Sequence, residues 1–350
     1  MERRWLPGLN SLRAIAAFVV LIWHVDRFSS TYGIESVGYG KTSAAHSAVV
    51  FFFVLSGYLI TWLLLCEKSK AGVCLASFYR RRALRILPPY LLVLVWSFLL
   101  VWSEGESPID YARQYAFYFL LIPNVANAFN FSIRCLLPLW SIGVEEQFYL
   151  VWPFILKKVQ AVPRVLGLIF LAYMGVKLGL RVLEGGPVYQ LVRLTSVSSL
   201  VIGAFAGWMV FTESPLLRRV YSKPVQVFSL IFVVYCIIVE PLQLTSALQE
   251  ECQAPVFACL ILNVSTNPDS LLKMQNPVLS FLGTISYGIY LYHLPMMFTV
   301  GGVLGPWLGS FDDSAAIVLA NVVTIVLTTA AATVSYFLVE RPLLALKPVH

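Results

Sequence analysis

SLRAIAAFVVLIWHVDRF, residues Ser11 to Phe28, is the stretch around which the rest of the chain is organised. It has the length and composition of a membrane-spanning helix, since about 20 residues rising 1.5 Å each cross a hydrocarbon layer of about 30 Å. It nevertheless carries Arg13 near its start and His24 well inside. Eleven helical residues at about 100° each end about 20° past three full turns, so both side chains project from one face. An ionisable group at membrane depth costs roughly 2.5–3.5 kcal/mol on insertion scales. The plain structural alternative for a membrane histidine is a hydrogen bond between helices, worth about 0.6–2 kcal/mol. That cost, with an arginine on the same face, makes His24 the leading functional candidate.

Composition points the same way along the whole chain. Hydrophobic residues make up 59% and charged residues only 12%, against about a quarter charged in soluble domains. Apolar runs recur from end to end without a linker or low-complexity tract, so residues 1–350 read as a single all-α integral membrane domain. The six cysteines, at positions 66, 74, 135, 236, 252 and 259, lack metal-ligand spacing, and no metal is expected. Cys135 and Cys252 fall in loops placed outside, where a bridge is conceivable and free thiols are the simpler reading. A net charge of +7 raises the question of nucleic acid, but its distribution reads as membrane topology, with no nucleic-acid partner. Arg3 and Arg4 precede the first apolar run as in a signal peptide. The run is long for one and no A-x-A follows, so it is an uncleaved first span.

About ten stretches have spanning length. They are 11–30, 46–66, 85–103, 138–156, 163–183, 190–212, 224–240, 247–266, 277–300 and 315–340. The stretch 109–122, IDYARQYAFYFLLI, is too short and polar to span and reads as an interfacial or re-entrant helix. With the N-terminus inside, the inner loops hold Lys68, Lys70, Arg80, Arg81, Arg82, Arg85, Lys157, Lys158, Arg164, Arg218, Arg219, Lys223, Lys273, Arg341 and Lys347. The outer loops hold only Lys41, Arg113, Arg134, Arg181 and Arg193, against nine acids that include Glu104, Glu184, Glu250 and Asp313. This asymmetry places both termini in the cytoplasm.

Counting along the spans then gives depth. His24 lies about 20 Å above the inner edge, and Glu145, in SIGVEEQFYL of a descending span, about 10 Å below the outer edge. His293, in SYGIYLYHLP, falls in the outer half as well. Three ionisable groups are therefore expected at one depth, and a carboxylate beside an imidazole is what a general base requires. Glu146 points about 100° away from Glu145, which leaves Glu145 as the residue facing the site. His293 either joins the site or satisfies backbone freed by Pro295. The neighbouring aromatic residues Trp140, Tyr287 and Tyr290 are assigned with His293 to substrate binding.

A second feature is SFYRRRALRILPPY, Ser77 to Tyr90. Arg80 and Arg81 read as ordinary positive-inside residues, whereas Arg82 and Arg85 sit three apart on one helix face at the membrane entrance. A guanidinium is a rigid fork suited to phosphate oxygens, so this pair is expected to hold a polyanionic ligand. In VFFFVLSGYLI, Ser56 and Gly57 would let either a slim ligand or a neighbouring helix approach closely.

Together these stretches resemble the acyltransferase-3 family of integral membrane O-acyltransferases, which includes O-antigen and nodulation-factor acetylases. The resemblance is carried, in order, by LRAIAAFVVLIWH, FFFVLSGYLI, FYRRRALRILPPY, LWSIGVEEQFYLVWP, SYGIYLYHLP and the closing VERP, Val339 to Pro342. It implies a ten-span bundle in the bacterial cytoplasmic (inner) membrane that moves an acyl group, usually acetyl from acetyl-CoA, to a hydroxyl of a glycan or glycosylated acceptor. The family's arginine–histidine motif maps onto Arg13 and His24, its arginine pair onto Arg82 and Arg85, and its glutamate onto Glu145. Asn10-Ser11 stands where the family usually has Asp-Gly, so a carboxylate that would anchor Arg13 is missing, and Gly143 replaces a commoner serine. No hydrolase-like domain follows the last span, which implies the stand-alone form. The implied roles are donor binding by Arg82, Arg85, Ser56 and Gly57, and catalysis by His24 with Glu145 and Arg13. Direct transfer and a covalent acyl intermediate both fit. A different class, a proton-coupled transporter of an anionic solute, could use the same intramembrane groups, although no inverted repeat accompanies them.

Overall fold

The computed structural model describes residues 6–183, 185–238 and 248–346. Arg3, Arg4, Glu184 and Lys347, together with the adjoining ends of the spans expected over 224–240 and 247–266, lie outside the described residues. Within them the secondary structure is helical, without a strand.

The opening stretch forms α1 (Leu9–Arg27), one unbroken helix that holds both Arg13 and His24. The loop beyond it is tied down by buried Asp26, whose carboxylate accepts from the Ser36 hydroxyl at 2.9 Å, the Val37 amide at 2.8 Å and the Gly40 amide. Next come α2 (Ala44–Lys70) and α3 (Leu75–Ser103), the latter continuous through Pro88 and Pro89. The segment expected as an interfacial helix is two short pieces, α4 (Ala112–Phe119) and α5 (Pro123–Ala128), separated by Leu121 at a positive φ of 57°. Then follow α6 (Leu139–Lys158), α7 (Val162–Gly179), α8 (Pro187–Leu194) and α9 (Val197–Phe211). The chain continues through α10 (Leu216–Val220), α11 (Lys223–Ile238) and α12 (Gln249–Thr266). It closes with α13 (Pro277–Thr284), α14 (Ser286–Leu308), α15 (Asp313–Ser335), a π-turn at Tyr336–Glu340 and α16 (Arg341–Ala345).

Among the described residues, six helical stretches are long and apolar enough to cross a bilayer: Leu9–Arg27, Ala44–Lys70, Leu75–Ser103, Val162–Leu183, Pro187–Phe211 and Asp313–Ala345. Lys223–Ile238 is apolar but shorter. The remaining expected spans fall on α6, α12 and α14, which bury polar groups such as Ser141, Gln253 and His293. All six cysteines are free thiols, and Cys135 is buried rather than looped out, so it is not bridged to Cys252.

Gly57 shows how the interior is packed. Its open side faces α9, where a Cβ would overlap the Leu200 carbonyl, and Gly203 and Gly207 present the same kind of contact to Val54 and Tyr58 of α2. Small residues let two backbones approach closely where lipid supplies no hydrophobic drive between helices. Gly57 is therefore a helix-packing residue, and its assignment to donor binding is corrected: α9 occupies the space a ligand would need. Gly57→Ala is expected to cost about 1–3 kcal/mol through overpacking. Thermal unfolding of the detergent-solubilised protein checks this, because a ligand-contact role would leave the melting temperature unchanged.

Candidate functional site

One large cavity, about 630 Å³, runs into the bundle from the Arg13 end of α1. Arg13 lines it from α1, Ser56 from α2, Arg82 and Arg85 from α3, Glu145, Glu146 and Tyr149 from α6, and Tyr287 and Tyr290 from α14. The π-turn adds Tyr336 and Glu340, and apolar residues of α2, among them Phe52, Leu55 and Leu59, complete the wall. Arg82 and Arg85 share this face because they stand three apart on α3, while Arg81 turns away to Glu67 at 2.8 Å.

Charge inside the cavity is balanced yet loosely coupled. Arg13 interacts electrostatically with Glu145, and Arg85 with Glu340. Arg82 packs its guanidinium over the Tyr149 ring at 4.7 Å and the Phe78 ring at 5.7 Å. Among the described residues, none of these three guanidiniums makes an ion pair or hydrogen bond, although each offers five N–H donors. Glu145 instead accepts from the Tyr149 hydroxyl at 3.1 Å. Three arginines with unclaimed donors around one cavity suit a ligand rich in phosphate oxygens.

The cavity ends at Phe52, Ser141 and Tyr290. There the Ser141 and Tyr290 hydroxyls share a hydrogen bond of 2.7 Å, and the Tyr290 hydroxyl donates to the Pro138 carbonyl at 3.1 Å. Beyond this end lie the two histidines. The His293 ring is 5.7 Å from that of Tyr290 and 5.0 Å from that of His24, centroid to centroid. The His24 ring also meets the edge of Trp23 and stacks on Phe28. Its Nδ1 lies 2.8 Å from the Val20 carbonyl. A carbonyl only accepts, so Nδ1 carries the hydrogen and, in the neutral ring, Nε2 presents a lone pair.

The structure therefore joins some of the residues picked from sequence and separates others. Arg13, Ser56, Arg82, Arg85, Glu145, Tyr287 and Tyr290 line one cavity, and His24 and His293 form a second cluster at its inner end. Glu145 does not stand beside His24. Ser141 is level with Tyr290, Glu145 is four residues toward the Arg13 end, and His293 is three residues the other way. At 1.5 Å per residue the offset is about 10 Å. Depth counted from an outer membrane edge misplaces Glu145 because α6 does not begin at such an edge. Its start is roofed by residues 123–138, and Leu136 and Leu139 are each 1% exposed. Trp140 also leaves the site, its ring packing edge-on against Phe53 at 5.9 Å.

Residues given no role from sequence enter instead. Glu146 lines the cavity with Glu145, since a space this wide receives side chains about 100° apart on one helix. Glu340, inside the closing VERP, is swung in by the π-turn, a local geometry that hydrophobic periodicity does not announce. His293 does not serve the carbonyl freed by Pro295, which belongs to Leu291; its Nδ1 bonds the Tyr290 carbonyl at 2.7 Å.

Comparison with known proteins adds the family. The acyltransferase-3 family model, described as an acyltransferase domain, matches residues 6–340. A Staphylococcus aureus (strain COL) protein named "Putative O-acetyltransferase" is 28% identical over 97% of this chain and 58% of its own length. The O-acetyltransferase OatA of S. aureus (strain NCTC 8325 / PS 47) is 26% identical over 97% of this chain and 57% of its own. The chain thus spans a little under six-tenths of the length of these relatives. No solved structure matches it. With six helices of spanning length among its described residues and a family match over almost its whole extent, this multi-pass membrane protein belongs to the acyltransferase-3 family.

Proposed function

We propose that the chain is a membrane O-acyltransferase that moves an acyl group, acetyl by the names of its relatives, from acyl-CoA to a hydroxyl of a glycan or glycosylated acceptor. In this reading it is one integral domain of ten spans in a bacterial cytoplasmic membrane, with both termini and the Arg13 end of the cavity on the cytoplasmic side. The observation that carries it is the arrangement along α1: an anion-suited cavity at the Arg13 end, and at the other a histidine with a bare Nε2.

The nucleotide phosphates of CoA bind Arg82, Arg85 and Arg13, whose N–H donors are unclaimed within the protein. Arg13 and His24 are eleven residues apart on one helix, about 16 Å, or roughly half the hydrocarbon layer, a length that the pantetheine arm covers. The thioester thereby reaches the Tyr290 end of the cavity. The acceptor arrives from the opposite face of the membrane, and His24 Nε2 takes its hydroxyl proton as the oxygen attacks the thioester carbonyl carbon. The C–S bond breaks, and the proton passes from His24 to the departing thiolate, leaving an ester and CoA–SH. Glu145 acts at the other end, as counter-ion to Arg13.

Purified protein in liposomes, given acetyl-CoA labelled in its acetyl group and saccharides prepared from the host's envelope, tests this reading. It expects labelled ester and one free thiol for each ester formed. Glu145→Gln refines the assignment of roles. Arg13 loses the opposite charge near it, an electrostatic interaction without direct contact, so activity falls by no more than about tenfold. The pH dependence of kcat stays where it was, because the carboxylate is about 10 Å from the level of His24. A shifted pH profile would return Glu145 to the histidine.

A further inference from the structure

The His24 end of the bundle carries a guanidinium that the mechanism above does not use. Arg134 opens a short 3-10 turn, Arg134–Leu136, in the segment that roofs α6, and its side chain is exposed. Its Cζ lies over two aromatic rings, 5.7 Å from the centroid of Phe28 and 5.2 Å from that of Phe298. Those two rings are 6.2 Å apart, and the His24 imidazole stacks on Phe28 at 6.0 Å with the planes within 4°. One phenyl ring therefore neighbours both the base and the guanidinium. A cation held over ring faces is fixed in place while its five N–H donors stay unspent. Among the described residues Arg134 makes no ion pair and no side-chain hydrogen bond. An acid is not lacking nearby: Glu104 acts electrostatically on the adjoining Cys135, yet it does not pair with Arg134. Arg27, a second exposed cation at this end, interacts with His24 and is likewise without an ion pair.

We propose that Arg134 is an acceptor-recognition residue: it binds a carboxylate on the acceptor saccharide and so brings a hydroxyl of the same or the adjoining sugar to His24. This rests on the reading of His24 as the base. A planar guanidinium fork matches a planar carboxylate with two parallel hydrogen bonds, which fixes orientation as well as charge. Phe28 ties the place of that fork to the place of the imidazole, because both lie against its ring. Arg27 adds positive charge at the same end, so the local field favours an acidic acceptor over a neutral one. Arg134 meets the substrate away from the reacting atoms. Its contribution therefore belongs to acceptor binding and not to the proton transfer.

The test follows ester formation from labelled acetyl-CoA by the full chain in liposomes. Two acceptors are compared: host envelope saccharides as prepared, and the same saccharides with their carboxylates converted to N-methylamides, which removes charge without creating a hydroxyl. Wild type is expected to use the native saccharides about threefold to tenfold better in kcat/KM, the range for a charged contact at an exposed site. Salt at about 0.5 M should shrink that preference. Arg134→Gln brings the native saccharides down to the level of the amidated ones by raising KM for the saccharide, with KM for acetyl-CoA unchanged. Arg134→Lys keeps the charge without the fork and restores part of the preference. Equal use of native and amidated saccharides by wild type overturns the proposal. So does a loss in Arg134→Gln that is the same on both, the result expected of an arginine that binds a lipid headgroup phosphate or only packs on its rings. Ester on neither acceptor with wild type overturns the acyl-transfer reading itself, and an active His24→Gln variant overturns the base.

Discussion

His24→Gln is expected to lose acyl transfer almost completely, by about 10²–10⁴-fold in kcat, while the protein inserts and melts like wild type. Glutamine fills a similar volume and keeps a hydrogen bond, so helix contacts survive, but it cannot take a proton at neutral pH. His24 stacks on Phe28 and meets Trp23, contacts that glutamine weakens only slightly. Binding of acetyl-CoA should persist, because the arginine-lined cavity ends at Tyr290 and does not include His24. The check is paired: initial rates in liposomes beside equilibrium binding of labelled acetyl-CoA. Retained binding with lost turnover is the signature of a group needed in the transition state.

Arg85→Ala is expected to act at the other end and in the opposite way, raising KM for acetyl-CoA by about 10- to 150-fold with a smaller change in kcat. The range follows from one charge-assisted contact worth roughly 1.5–3 kcal/mol. Arg82→Ala should behave similarly, although Arg82 also packs on the Tyr149 and Phe78 rings and its loss will lower stability as well. Lysine at position 85 restores charge without the planar fork, so rescue should be partial. Kinetics with acetyl-CoA and with acetyl-dephospho-CoA, which lacks one phosphate, separate charge from shape: Arg85→Ala should discriminate the dephospho donor less than wild type does. Variants that bind donor normally but insert wrongly would make the arginines topology residues only.

The sequence made α1 legible because helical geometry within one element is fixed: Arg13 and His24 lie on one unbroken helix with no register to guess. The i, i+3 spacing of Arg82 and Arg85 put both on the cavity face for the same reason. Relations between elements were harder to read. The pairing of Glu145 with His24 depended on where α6 starts, and the roof over Leu139 is set by tertiary packing of residues 123–138. Gly57 illustrates a different ambiguity. A glycine in a membrane helix permits close approach without naming the visitor, and here the visitor is α9. Glu340 was in a motif but its direction depends on a π-turn. Asp26 lay in the opening stretch as one more charge near a helix end; its three-fold grip on the following loop depends on a chain path that periodicity does not specify.

In the proposed mechanism the acyl group crosses the membrane from a donor at the Arg13 end to an acceptor at the His24 end. The most direct measurement encloses acetyl-CoA labelled in its acetyl group within liposomes containing the protein in one orientation, with the Arg13 end inward, and supplies envelope saccharides outside. Labelled ester is expected on the outer saccharide, matched one to one by free CoA thiol retained inside, and neither product with His24→Gln. Label that appears outside still attached to CoA, or ester formed only when donor and acceptor are on the same side, would contradict it.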